Sequence, residues 1–101
     1  MPTLVVLWEF RVPAEHRDVF VAHYGAEGSW AQLFARDPAY LGTELLHDAN
    51  EPARYVTVDR WRDASDYADF RRRHASEYAR LDASCESLTS EEHFLGACTS
   101  A

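Results

Sequence analysis

The chain has 101 residues, 47% of them hydrophobic and 13% aromatic, which describes a single small domain over residues 1–101 with a real core and excludes a disordered polypeptide. Its formal net charge of −7 excludes nucleic acid and anionic membrane as general partners, because neither is attracted to an acidic surface. No apolar run approaches the ~18 residues that a spanning helix needs, and the N-terminus lacks the charged and apolar regions of a signal peptide, so a cytoplasmic protein is expected.

Thr3 to Arg11 is rich in valine, leucine and aromatic residues and lies between Pro2 and Pro13, as a strand would. Leu4, Val6, Trp8 and Phe10 alternate with Val5 and Leu7, so neither face of this strand wants water. After Pro13, which suits a first helical turn, Ala14 to Tyr24 reads as a helix with Val19 or Phe20 and Tyr24 turned inward. Gly25 and Gly28 interrupt it, and Ser29 is a candidate cap for a second short helix from Trp30 to Ala35. Asp37-Pro38 ends that helix, because a residue before proline is pushed out of the α region.

Tyr40 to His47 and Arg54 to Trp61 are the two strands of a hairpin joined by the polar link Asp48-Ala49-Asn50-Glu51-Pro52. The longest element then runs from Trp61 to Leu88, capped by Asp63 or Ser65, with Asp66 and Asp69 in its first turns where the helix dipole favours negative charge. Tyr67, Phe70, His74, Tyr78, Leu81, Cys85 and Leu88 recur at steps of three and four and form its dry stripe, while Asp66, Asp69, Arg71, Arg72, Arg73, Glu77 and Arg80 face water. A last strand spans His93 to Thr99. Cys85 and Cys98 have no CxxC or zinc spacing and read as buried small residues in a reducing compartment.

The order strand, helix, strand, strand, helix, strand describes an α+β, ferredoxin-like βαββαβ fold, a four-stranded antiparallel sheet with its helices on one face. The other face needs cover. With Leu4, Val6, Trp8 and Phe10 on one face of an inner strand, that cover is expected to be a second copy of the chain packed sheet against sheet as a homodimer.

Three stretches carry a family resemblance: Trp30-Ala31-Gln32-Leu33-Phe34; Asp37-Pro38-Ala39-Tyr40-Leu41-Gly42-Thr43-Glu44-Leu45-Leu46; and Arg54-Tyr55-Val56-Thr57-Val58-Asp59-Arg60-Trp61, with Tyr67 and Phe70 beyond. Together they resemble the antibiotic biosynthesis monooxygenase family over nearly the whole chain. The resemblance implies a dimeric α/β barrel whose protomers each keep a pocket between sheet and helices. Members include cofactor-independent oxygenases of polycyclic phenols or quinols, haem-degrading enzymes and proteins with no known reaction. The asparagine, tryptophan and histidine of the haem-degrading members are not reproduced here. Leu7 stands near the asparagine position, and Phe70 stands where the tryptophan, or in quinol-oxidising relatives a histidine, is expected.

An oxygenase without a cofactor must remove a phenolic proton and hold the anion in a dry pocket. His74 is the candidate base, since an imidazole titrates near neutrality, with Tyr67 and Tyr78 one turn to either side to orient a hydroxylated ring. Asp59 shares one strand face with Tyr55, Thr57 and Trp61; it either faces the helices and partners His74 or lies at the dimer interface. Phe70, Trp30, Phe34, Leu7 and Trp61 are the candidate apolar walls of a site for a small aromatic ligand. His16 and His23 share a helix face without a carboxylate set, so neither a metal nor another cofactor is expected. The alternatives are a non-catalytic small-molecule binding or sensing dimer, and a haem-binding or haem-degrading protein.

Overall fold

A computed structural model describes residues 2–101. Strand β1 (Leu4–Arg11) leads through a 3-10 turn (Ala14–His16) to helices α1 (Arg17–Tyr24) and α2 (Ser29–Phe34). The hairpin β2 (Tyr40–His47) and β3 (Arg54–Trp61) follows, then α3 (Ala64–Arg73), α4 (Ala75–Cys85) and the edge strand β4 (Glu91–Thr99). The sheet is antiparallel with the order β2-β3-β1-β4, the ferredoxin-like arrangement with the helices on one face.

Strand β1 is paired on both edges and covered by the helices on one face. Leu4, Val6 and Phe10 are buried there, with Tyr55, Thr57, Asp59 and Trp61 of β3 beside them on the same inner face. This reverses the expected parity. Leu4, Val6, Trp8 and Phe10 face the helices rather than a partner, and the outer face carries Val5, Leu7, Val56 and Val58 instead. Leu7 therefore points away from the helices and is not a wall of any site beneath them.

Two bulges interrupt the ladders. In β2, Tyr40 pairs with Trp61 and Gly42 with Arg60, which leaves Leu41 as an extra residue. In β4, Phe94 pairs with Trp8 and Gly96 with Leu7, which leaves Leu95 extra. Each bulge carries a glycine at positive φ, Gly42 at 142° and Gly96 at 150°, a conformation that side chains with a Cβ avoid. The β2 bulge moves Thr43 onto the inner face opposite Asp59.

The turn after β2 is closed by Asp48, whose Oδ1 accepts from Asn50 N at 2.8 Å and Glu51 N at 3.0 Å. Asp63 caps α3 by accepting from Asp66 N at 2.8 Å. Ser29 is the first residue of α2 with Gly28 at the cap position, and its hydroxyl instead meets His23 Nδ1 at 2.8 Å. In α1 it is Phe20 and Tyr24 that turn inward, while Val19 is exposed. Buried Asp37 ties the end of α2 to the end of α3, accepting from Ala39 N at 2.8 Å and pairing with Arg73.

The long helix is broken. His74 has φ −113° and ψ 27°, so α3 stops there and α4 starts again at Ala75. Each half then serves a different wall: Tyr67 and Phe70 of α3 pack on Trp61, with centroids 5.2 and 4.9 Å apart, while Tyr78 of α4 meets Trp30 edge-on at 4.9 Å. Cys85 is buried as expected, but Cys98 is exposed, because β4 is an edge strand whose residues are nearly all open. Among the described residues no helix is long and apolar enough to cross a membrane.

Candidate functional site

Between the inner sheet face and the helices lies a cavity of about 210 Å³. Val6, Phe10, Thr57 and Asp59 form its floor, Thr43 adds an edge, and Tyr24, Trp30, Phe34, Tyr67 and Tyr78 make aromatic walls. Trp8, Arg71, Asp82 and Glu92 complete the lining, and the last three are exposed and form its rim. Site residues expected from the sequence thus meet in one place: Asp59, Tyr67, Tyr78, Trp30 and Phe34.

Asp59 is the chemically distinctive member. Its side chain is buried, 8% exposed, in a shell of rings, and the one hydrogen bond it accepts among the described residues comes from Thr43 Oγ1 at 2.5 Å. Tyr40 Oη lies 2.5 Å from the same Thr43 hydroxyl. Because the single threonine proton goes to the carboxylate, the tyrosine must be the donor in that second bond, giving a chain from Tyr40 through Thr43 to Asp59. Desolvation is the larger influence on Asp59 and pushes its pKa up to about 6, against which the Thr43 bond acts only in part. The carboxylate is therefore a stronger base than an ordinary aspartate, and no cation among the described residues pairs with it.

Burial also raises the Tyr78 phenol, to about 12, although the Arg71 guanidinium opposes the shift. Arg71 lies with its guanidinium carbon 3.9 Å from the Tyr78 ring centroid and donates to Tyr67 Oη at 3.1 Å, joining α3 to α4 across the helix break. Trp30 Nε1 is buried with no partner among the described residues. Arg71 was missed in the sequence, where it sits in a triplet that reads as a solvated face. The signal lay in its i,i+4 spacing from Tyr67, which puts a cation beside the one phenol already assigned to the dry stripe.

Several expected site residues are elsewhere. His74 is not in the cavity. It occupies the break between α3 and α4, half-buried, its Nδ1 3.1 Å from Glu77 Oε2 and its ring 4.9 Å from that of Phe70, and it shares no hydrogen bond with Asp59. Phe70 and Trp61 are 0% exposed and lie behind the walls, packed against Phe34 and each other. They are core, not lining. Among the described residues no three His, Cys, Asp or Glu side chains converge to hold a metal.

The family model for antibiotic biosynthesis monooxygenases matches residues 3–95. The chain belongs to this family. SnoaB, a cofactor-independent oxygenase from Streptomyces nogalater, shares the fold with a TM-score of 0.69 at 22% identity, over 100% of this chain and 95% of that one. A conserved protein from Methanosarcina mazei Go1 superposes with a TM-score of 0.75 at 10% identity, covering 100% of this chain and 95% of that one. No curated protein matches the chain. At these identities the solved structures establish the fold alone, and the chemistry rests on the cavity itself.

Proposed function

We propose that this family member is a cofactor-independent monooxygenase of a small hydroxylated aromatic, bound in the cavity with its hydroxyl on Asp59. The observation that carries this reading is the buried, uncompensated Asp59 carboxylate on the floor of an aromatic-walled cavity. A flat ring fits between Trp30, Phe34, Tyr67 and Tyr78, and the carboxylate takes the phenolic proton. With its pKa near 6, Asp59 is closer to a phenol than an ordinary carboxylate is, so the proton transfer is less uphill.

The electron-rich anion then reduces dioxygen directly. One oxygen atom replaces the hydrogen on a ring carbon and becomes the new carbonyl. The other leaves as water with the ring hydrogen and the phenolic hydrogen. The hydroxyarene supplies all four electrons as it becomes a quinone, so no separate reductant enters. Tyr67, Tyr78 and Arg71 surround the developing charge with polarised donors in a site partly screened from water.

The working form is a homodimer joined through the outer sheet face. Val5, Leu7, Val56 and Val58 run across it with the exposed Leu46, and the ion pairs Arg54 with Glu9 and Asp48, and Arg60 with Glu44, border them. An apolar centre with a charged rim suits a protein interface rather than bulk water. The reaction is tested by supplying ¹⁸O₂ with a panel of hydroxynaphthalenes, hydroxytetralones and anthrones. One labelled oxygen in the product for each dioxygen consumed is expected. Binding without oxygen consumption across the panel would reduce the protein to a binding module.

A further inference from the structure

Arginines in this chain are mostly spoken for by acids. Arg11, Arg36, Arg54, Arg60, Arg62, Arg72 and Arg73 each pair with a carboxylate. Arg71 lines the cavity and has no such partner among the described residues. It spends one N–H on Tyr67 Oη and stands over the Tyr78 ring, so most of its five donors are left for something else. The cavity therefore has opposite polarity at its two ends: an acceptor, Asp59, on the floor and a cationic donor, Arg71, at the rim. Asp82 and Glu92 share that rim, so a ligand with a full negative charge meets two like charges for the one it gains.

Size adds a second limit. A dry cavity of about 150 Å³ takes one benzene ring, and 210 Å³ leaves room for the four further carbons of one fused ring, with a third ring left outside among the charged rim residues.

We infer that the ligand is a neutral two-ring hydroxyaryl ketone, hydroxyl inward on Asp59 and carbonyl outward on Arg71. The inference rests on the oxygenase reading for its chemistry but on the cavity alone for its ligand class. It also joins the two ends. When hydroxyl and carbonyl are conjugated through the ring, removing the proton at the Asp59 end moves negative charge to the carbonyl oxygen, where the Arg71 guanidinium stands. Arg71 is thus a specificity-determining residue, binding most strongly the state that Asp59 creates.

The test is anaerobic binding, followed by tryptophan fluorescence, with oxygen consumption measured separately. 6-Hydroxy-1-tetralone carries the two groups at opposite ends of a two-ring skeleton. 5,6,7,8-Tetrahydro-2-naphthol lacks the carbonyl, 6-hydroxy-2-naphthoate replaces it with a carboxylate, and 2-hydroxyanthraquinone adds a third ring. The ketone is expected to bind at least tenfold tighter than the tetrahydronaphthol and the naphthoate, and the third ring to add less than threefold. Arg71→Gln should bring the ketone and the tetrahydronaphthol within threefold of each other. Preference for the naphthoate, a tenfold gain from the third ring, or an undiminished ketone preference in Arg71→Gln would each overturn the assignment. The wild-type series decides by itself if the variant does not fold. Selective ketone binding with no oxygen consumed upholds the ligand class and removes the oxygenase reading; oxygen consumption confined to the naphthoate or the three-ring compound does the reverse.

Discussion

Thr43 stands directly across the ladder from Asp59 and donates to it at 2.5 Å, and it does so only because β2 contains one extra residue. In an unbulged strand starting from the Tyr40 to Trp61 pair, Gly42 would oppose Asp59 and Thr43 would face outward with Val58. The bulge at Leu41 puts Tyr40 and Thr43 on the same face, three residues apart, and so builds the hydroxyl chain that ends on the carboxylate.

Gly42 holds that bulge at φ 142°, and nothing lies within 4 Å of a Cβ placed there. Gly42→Ala therefore meets a conformational cost without a clash, roughly 1–3 kcal/mol of stability. If the strand relaxes by losing the bulge, Thr43 leaves Asp59. Denaturant unfolding should show the loss, and turnover should fall with it.

Asp59 destabilises the fold it serves. Its folded pKa, about 6, lies above the ordinary 3.8, so the folded state holds the proton more tightly than the unfolded chain does. The contribution to stability is whole below about pH 4 and is lost as pH rises through 6. The shift of about two units corresponds to roughly 2–3 kcal/mol. Asp59→Asn keeps the Thr43 bond and removes the ionisation, so thermal unfolding at pH 8 should show a variant more stable by about that amount, with the difference vanishing by pH 4.

His74 serves the helix break and not the cavity, so His74→Gln should change turnover less than twofold. Phe70, fully buried against Phe34 and Trp61, is a packing residue whose change to alanine should cost about 3–5 kcal/mol. A tenfold loss of activity in His74→Gln at unchanged stability would return the imidazole to the mechanism.

Leu7 lies on the outer sheet face beside Val58. Leu7→Glu places a charge in the middle of the proposed interface without touching the cavity, and sedimentation should show a dimeric parent and a monomeric variant. An unchanged dimer would move the interface elsewhere.

The strand and helix order was legible in the sequence because alternation and i,i+4 periodicity record burial directly, and β2 and β3 begin and end at Tyr40, His47, Arg54 and Trp61 as expected. Parity was not. Val5 and Leu7 are as apolar as Leu4 and Val6, so a doubly covered strand does not say which face meets the helices. That ambiguity sent Leu7 to the cavity and the Val6 face to the interface. The break at His74 is silent for a similar reason, since the stripe from Tyr67 to Cys85 keeps its period through it and no proline or glycine marks the stop. Asp59 was legible as a candidate, but its partner was not, because Thr43 reaches it through a bulge that strict alternation hides.

The role of Asp59 as the base is decided by the pH dependence of kcat/KM for oxygen consumption in the parent and in Asp59→Asn. The parent rate should rise with pH through about 6 as the carboxylate ionises and then level, and the variant should be slower by about 10²–10⁴-fold with that rise gone. A parent profile flat through pH 6, or a variant that keeps the parent's rate and profile, would contradict it.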